Sequence, residues 1–231
     1  MQIRFLAAVL ALAAAGAVAA DQLAPFSAER SWQIQRIGPP TVSPDGKSAV
    51  AAVTRYDMKE NKGLSDLWLW STDGKVGRAL TTHQASDSSP LYSPDGQSLG
   101  FISQREGDTA PQLYLMPLGG GEPQRLTNVP TGVAQPMWFP DGKRIAFLSR
   151  VWPDLATMAQ QGERQKQRAE AKTSAQIWDS GPIYFWDTWL DDRQMHVFSV
   201  GIEGGEPVNL TAGTGLELPR AAVQLLSPLF D

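Results

Sequence analysis

The sequence predicts an all-β fold, a partial β-propeller of about three four-stranded blades plus the start of a fourth, with a helical insertion in the third. Three observations carry this. A Ser-Pro-Asp-Gly-type turn recurs at Ser43, Ser93 and Phe139, 50 and then 46 residues apart. A sixteen-residue element follows each turn: DLWLWSTDGKVGRALT from Asp66, QLYLMPLGGGEPQRLT from Gln112 and HVFSVGIEGGEPVNLT from His196, all ending in Leu-Thr. The apolar residues fall in short β-branched and aromatic clusters cut by Gly, Pro and Asp, which is a strand pattern rather than that of a helical repeat. A four-stranded antiparallel unit recurring at this spacing is a propeller blade.

The elements follow in chain order. Residues 1–20, MQIRFLAAVLALAAAGAVAA, have a short positive start at Arg4, an alanine-rich apolar run and small residues at Ala17–Ala20. That is the pattern of a secretory signal peptide, too short and alanine-rich for a good membrane span. Residues 21–40 form a lead-in, and 41–231 an incomplete propeller with blades at about 41–81, 91–127 and 137–211. In the second blade, Pro90–Ser93 reads as a strand, Pro94-Asp95-Gly96 as a turn and Ser98–Ile102 as the returning strand. Proline presets φ at the first corner, and Asp and Gly accept the conformations that follow. Leu113–Met116 and Gln124–Thr127 supply the third and fourth strands around Gly119-Gly120-Gly121.

The third blade is interrupted. From the turn aspartate to the third strand the chain spends 22 residues in blade one (Asp45 to Leu67) and 18 in blade two (Asp95 to Leu113), but 56 in blade three (Asp141 to Val197). The insertion, about 150–195, adds roughly 35 residues, and loops of that length in compact repeats are usually functional or disordered. Its first part, from Asp154, is polar and proline-free and predicts an exposed helix whose mixed charges suit a solvated face better than a binding patch. Its second part, IWDSGPIYFWDTWLDDR from Ile177, brings the insertion, counted with Trp152, to four of the eight tryptophans. Those rings can pack the insertion onto its own blade or line a binding cavity.

Composition excludes several functions. A net charge of −4 and a pI near 5.2 give no basic face for nucleic acid. With no cysteine and only His83 and His196, there is no thiolate chemistry, no disulfide and no multi-histidine metal site. Asp45, Asp95 and Asp141 stand on separate blades and do not make a calcium site, so no metal and no cofactor is expected. No Gly-x-Ser-x-Gly elbow or phosphate-binding loop occurs, so no catalytic residue is assigned. His83 is expected in an inter-blade loop, and His196 in a structural role. Asn209-Leu210-Thr211 matches a glycosylation sequon but falls inside the repeated strand. After Thr211 the chain runs LELPRAAVQLLSPLFD without another Pro-Asp-Gly, and three blades do not close a ring, so a fragment of a longer protein is expected.

The lead-in PFSAERSWQIQRIGPPTVSPDGK, the GGEPxxLT repeats and above all the insertion with WDTWLDDR before HVFSV resemble the prolyl oligopeptidase family of serine peptidases. The resemblance is to its branch of bacterial dipeptidyl and acylaminoacyl peptidases and extends over nearly all of the mature chain. It implies an exported, periplasmic or secreted peptidase acting on short peptides, whose propeller restricts access to a C-terminal α/β-hydrolase domain absent from these residues. The chain by itself is then expected to be inactive. No nucleic-acid partner, no membrane association after signal cleavage and possible homo-oligomerisation of the full-length parent complete the expectation. Trp186, Asp187 and Trp189 are the candidate substrate-facing residues. The other class that fits is a non-enzymatic periplasmic propeller that binds protein partners, as in the Tol system. Its members place an α/β domain before the propeller, and the aromatic insertion is foreign to them.

Overall fold

The computed structural model describes residues 26–172, 184–185, 188–189 and 192–216. The chain divides after Ile34 into an N-terminal unit and a second unit that holds the strands. In the first, α1 (Ala28–Gln33) is capped by Ser27, whose hydroxyl accepts from the Arg30 N–H at 3.3 Å.

Among its described residues the second unit contains three antiparallel sheets of four or five strands and one two-stranded hairpin. Blade one comprises β1 (Arg36–Ile37), β2 (Thr41–Val42), β3 (Ser48–Asp57), β4 (Lys62–Ser71) and β5 (Gly77–Ala79). Blade two comprises β6 (Asp87–Tyr92), β7 (Ser98–Ser103), β8 (Gln112–Pro117) and β9 (Gln124–Arg125). In blade three, β10 (Ala134–Trp138) and β11 (Arg144–Val151) are separated from the later strands by α2 (Met158–Glu170) and a hairpin of β12 (Tyr184–Phe185) and β13 (Thr188–Trp189). The strands β14 (Gln194–Gly201) and β15 (Gly204–Asn209) then complete it. The all-β partial propeller with a helix inserted in its third blade is therefore the fold. The start of a fourth blade falls on residues 217–231, outside the described residues, as does the signal peptide.

Each first strand is broken at the same place, and a proline is the cause. In blade one, β1 and β2 both pair with β3, separated by Gly38-Pro39-Pro40. In blades two and three the register slips between Ser88 and Leu91 and between Ala134 and Met137, around Pro90 and Pro136. Ser89 and Gln135, which precede those prolines, have φ of 51° and 46°. Proline lacks the N–H a ladder needs, so the strand bulges around it. One consequence is that the first sheet reaches back to Arg36, inside the stretch read as lead-in.

The Pro-Asp-Gly turns are self-contained. The Ser43 hydroxyl donates to Asp45 Oδ1 at 2.7 Å and accepts from the Ser48 N–H at 3.0 Å, and the same carboxylate accepts from the Lys47 N–H at 3.0 Å. Ser93, Asp95, Gln97 and Ser98 repeat this network. It recurs in the second hairpin of blade one through Ser71, Asp73 and Lys75. In blade three Phe139 replaces the serine and the Arg144 guanidinium covers its ring at 4.4 Å. Gly96 has φ of +70°, a conformation that costs residues with a Cβ about 1–2 kcal/mol.

Strand alternation then builds two cores. Leu99, Phe101, Tyr114 and Met116 point toward blade one, where they bury Val50 and Leu67. The intervening Ile102 and Leu113 point the other way, against Ile145, Phe147, Phe198 and Val200 of blade three. Phe101 and Tyr114 are direct cross-strand partners with ring centroids 5.8 Å apart, and Phe147 and Phe198 repeat the pair at 5.7 Å. Such pairs are the unit of sheet stabilisation, each worth about 0.2–1 kcal/mol beyond an Ala–Ala pair.

Candidate functional site

The Leu-Thr that closes each repeat has a structural task. Thr81, Thr127 and Thr211 turn their hydroxyls onto the N–H groups of Leu67, Leu113 and Val197 at 2.9, 3.0 and 3.2 Å. The residues just before those N–H groups are Asp66, Gln112 and His196, so His196 occupies a repeat position. Its Nδ1 lies 2.9 Å from the Thr211 hydroxyl and its ring is buried. The Thr211 N–H donates to Asn209 Oδ1, which ties the sequon into the strand. His83 lies in an exposed loop and accepts from the Ala85 N–H at 3.0 Å. Among the described residues no cluster of three His, Asp or Glu is placed to hold a metal.

The site that the sequence singles out is the insertion. Its root is Trp152, only 1% exposed although it stands where the chain leaves the blade. Gln161, one turn into α2, bonds both backbone groups of Trp152: it accepts from the N–H at 2.9 Å and donates to the carbonyl at 2.8 Å. Thr157 and Gln160 form a capping box that starts the helix at Met158 rather than at Asp154. The helix face is less solvated than its composition suggests. Arg164 forks onto Asp154 with two bonds of 2.8 Å, and Arg168 reaches Asp192 at 2.7 Å. Both guanidiniums, with that of Arg193, lie 5.0–5.6 Å from the centre of the Trp152 ring. Packing is thus the role of Trp152.

Between the first turn of α2 and the β14–β15 hairpin runs a groove of about 800 Å³, lined by Trp152, Met158, Phe198 and Pro207 with Glu206 and Gln194. Of the candidate substrate-facing residues, Trp189 pairs with Tyr184 in the short hairpin, while Trp186 and Asp187 lie outside the described residues. Gln161 and Asp192 were not legible in the sequence. Asp192 is one of two adjacent acidic residues, and nothing in the local pattern marks it as the partner of Trp152.

Residues 28–208 match the model of the TolB β-propeller domain family (PD40). The chain belongs to that family. This propeller is similar to the uncharacterized peptidase YuxL of Bacillus subtilis, with 38% identity over 100 residues covering 43% of the chain and 15% of that protein. It is 31% identical over 93 residues to dipeptidyl-peptidase 5 of Porphyromonas gingivalis, covering 40% and 13%. A TolB homolog of Chlorobium luteolum is 38% identical over 61 residues, covering 26% and 14%. Among solved structures, the acylaminoacyl peptidase of Pyrococcus horikoshii superposes with a TM-score of 0.57 at 13% identity, covering 77% of this chain and 25% of that one. That likeness shows the fold. The chain thus spans a small part of the length of these relatives, and it is related both to peptidase propeller regions and to TolB. None of the described helices is long and apolar enough to cross a membrane.

Proposed function

We propose that this chain is the N-terminal propeller portion of an exported serine peptidase that removes dipeptides or acylated residues from short peptides. The propeller gates access to a C-terminal α/β-hydrolase domain. The identity to proteins named as peptidases, 38% over 100 residues in one and 31% over 93 in another, carries this reading. A stack of blades held by continuous apolar cores suits a rigid filter, which admits an extended short peptide and refuses a folded protein. In this reading the aromatic insertion of the third blade contacts what passes. Trp186 and Trp189 offer apolar surface and Asp187 a charge suited to a peptide ammonium group. The apolar run at residues 5–16, with small residues after it, supports export.

The intact gene product, assayed with chromogenic dipeptide and N-acyl amino-acid substrates, tests the reading. Substitution of Trp186, Asp187 or Trp189 by Ala is expected to change the ratio of kcat/KM between substrates while melting stays near that of the parent. An equal loss on every substrate contradicts the role of these three residues. A second reading, a non-enzymatic periplasmic propeller that binds protein partners, is favoured by the 38% identity to a TolB homolog. It predicts no hydrolysis and a stable protein complex in the same preparation.

A further inference from the structure

The insertion leaves blade three after Val151 and re-enters at Gln194, and these two residues are direct ladder partners. Its two ends are also joined by side chains. The Trp152 indole N–H donates to Asp192 Oδ1 at 2.8 Å, so the first residue of the excursion holds one of the last. Gln161 meanwhile bonds Trp152 through both of its backbone groups and adds a bond of 3.2 Å to the Leu155 carbonyl. Strand, helix and returning chain therefore meet at a single residue, Trp152, the helix through its backbone and the returning chain through its indole.

We infer that Trp152 is the positioning residue of the insertion, the clasp that fixes α2 and the returning chain against blade three. Its consequence for substrates rests on the reading given under Proposed function, but the clasp itself does not. Relative magnitudes identify the bonds that matter. The Arg164–Asp154 pair is 33% and 59% exposed and the Arg168–Asp192 pair 47% and 55% exposed. Ion pairs in such surroundings contribute little. Gln161 is 3% exposed and Trp152 1% exposed, so loss of their partners leaves buried donors unsatisfied, which is the more costly event. A long excursion also gains order when its ends are tied, because the tie closes the loop near its root.

Hydrogen exchange on the purified 231-residue chain tests the clasp without any substrate. Asp192 is more than half exposed, so its replacement does not threaten the fold. Asp192→Ala removes the acceptor of the indole N–H and is expected to speed exchange of the α2 amides by about tenfold, with β11 and β14 amides within about twofold of the parent. Asp192→Asn keeps an acceptor oxygen and is expected to restore α2 to within about twofold. Unchanged α2 exchange in Asp192→Ala overturns the inference. So does equal acceleration in the strands, or an Asn variant as fast as the Ala variant, which would make the ion pair with Arg168 the tie. In the intact peptidase, Asp192→Ala is expected to shift substrate preference. A loosened α2 without such a shift counts against the substrate reading of the insertion and leaves the clasp standing.

Discussion

A single hydroxyl at the end of each repeat shows how the sequence motif becomes structure. Thr127 is 2% exposed, accepts from the Leu113 N–H at 3.0 Å and donates to Gln112 Oε1 at 2.8 Å. Thr127→Val keeps the shape and removes both bonds, leaving the buried Leu113 N–H without this acceptor while Gln112 Oε1 keeps the Val129 N–H at 2.9 Å. It is expected to destabilise the protein by about 1–3 kcal/mol in urea unfolding. Thr211→Val is expected to cost less, because its bond to the Val197 N–H is longer, at 3.2 Å, and only partly buried. The turn glycines act at the same scale. Gly96→Ala forces a Cβ into the left-handed region and to within 3.4 Å of Pro44 Cδ, with an expected loss of about 1–2 kcal/mol.

At the scale of the element, the loop after β7 is held by one carboxylate. Asp108 accepts from the Tyr114 hydroxyl at 2.7 Å, from the Arg125 guanidinium at 2.8 Å and from the Arg105 N–H at 2.9 Å. Burial pushes its pKa up, but these donors outweigh burial and hold it below 3.8. Burial and the neighbouring carboxylate push the Tyr114 hydroxyl up from 10.0 to about 12. The signs differ accordingly. The lowered carboxyl contributes stability above pH 3.8 that is lost as pH falls through its folded value. The raised phenol contributes stability below pH 10 that is lost as pH rises toward about 12. Tyr114→Phe is expected to cost about 1.5–3 kcal/mol near neutral pH and to remove the alkaline loss, read from unfolding free energy against pH. Arg105 belongs to the same loop, with its guanidinium 3.7 Å from the fully buried Asp87 and 4.7 Å from the Tyr114 ring centre. Arg105→Ala strips a buried carboxylate of its counter-charge and is expected to cost about 3–5 kcal/mol in the same measurement.

For the whole molecule, the sequence revealed most where the repeat constrains the backbone. Ser43-Pro44-Asp45-Gly46 and its copies announce turns because Pro and Gly restrict φ locally, and Leu-Thr marks strand ends because a hydroxyl must reach a fixed N–H. The sheet order follows from those turns. What was not legible depends on side chains meeting across distance. The pairing of Trp152 with Gln161 and Asp192 spans up to 40 residues and leaves no periodic trace. The arginines of α2 read as a solvated face because their partners, Asp154 and Asp192, lie outside the helix. The early strand β1 was hidden by two adjacent prolines.

Under the proposed function, this propeller serves a peptidase whose chemistry resides outside these 231 residues. Hydrolysis of chromogenic dipeptide substrates by the intact gene product, measured beside the purified 231-residue chain, tests it most directly. Turnover is expected from the intact product and none from the chain. Turnover by the chain, or an intact product that turns over none of these substrates, would contradict it.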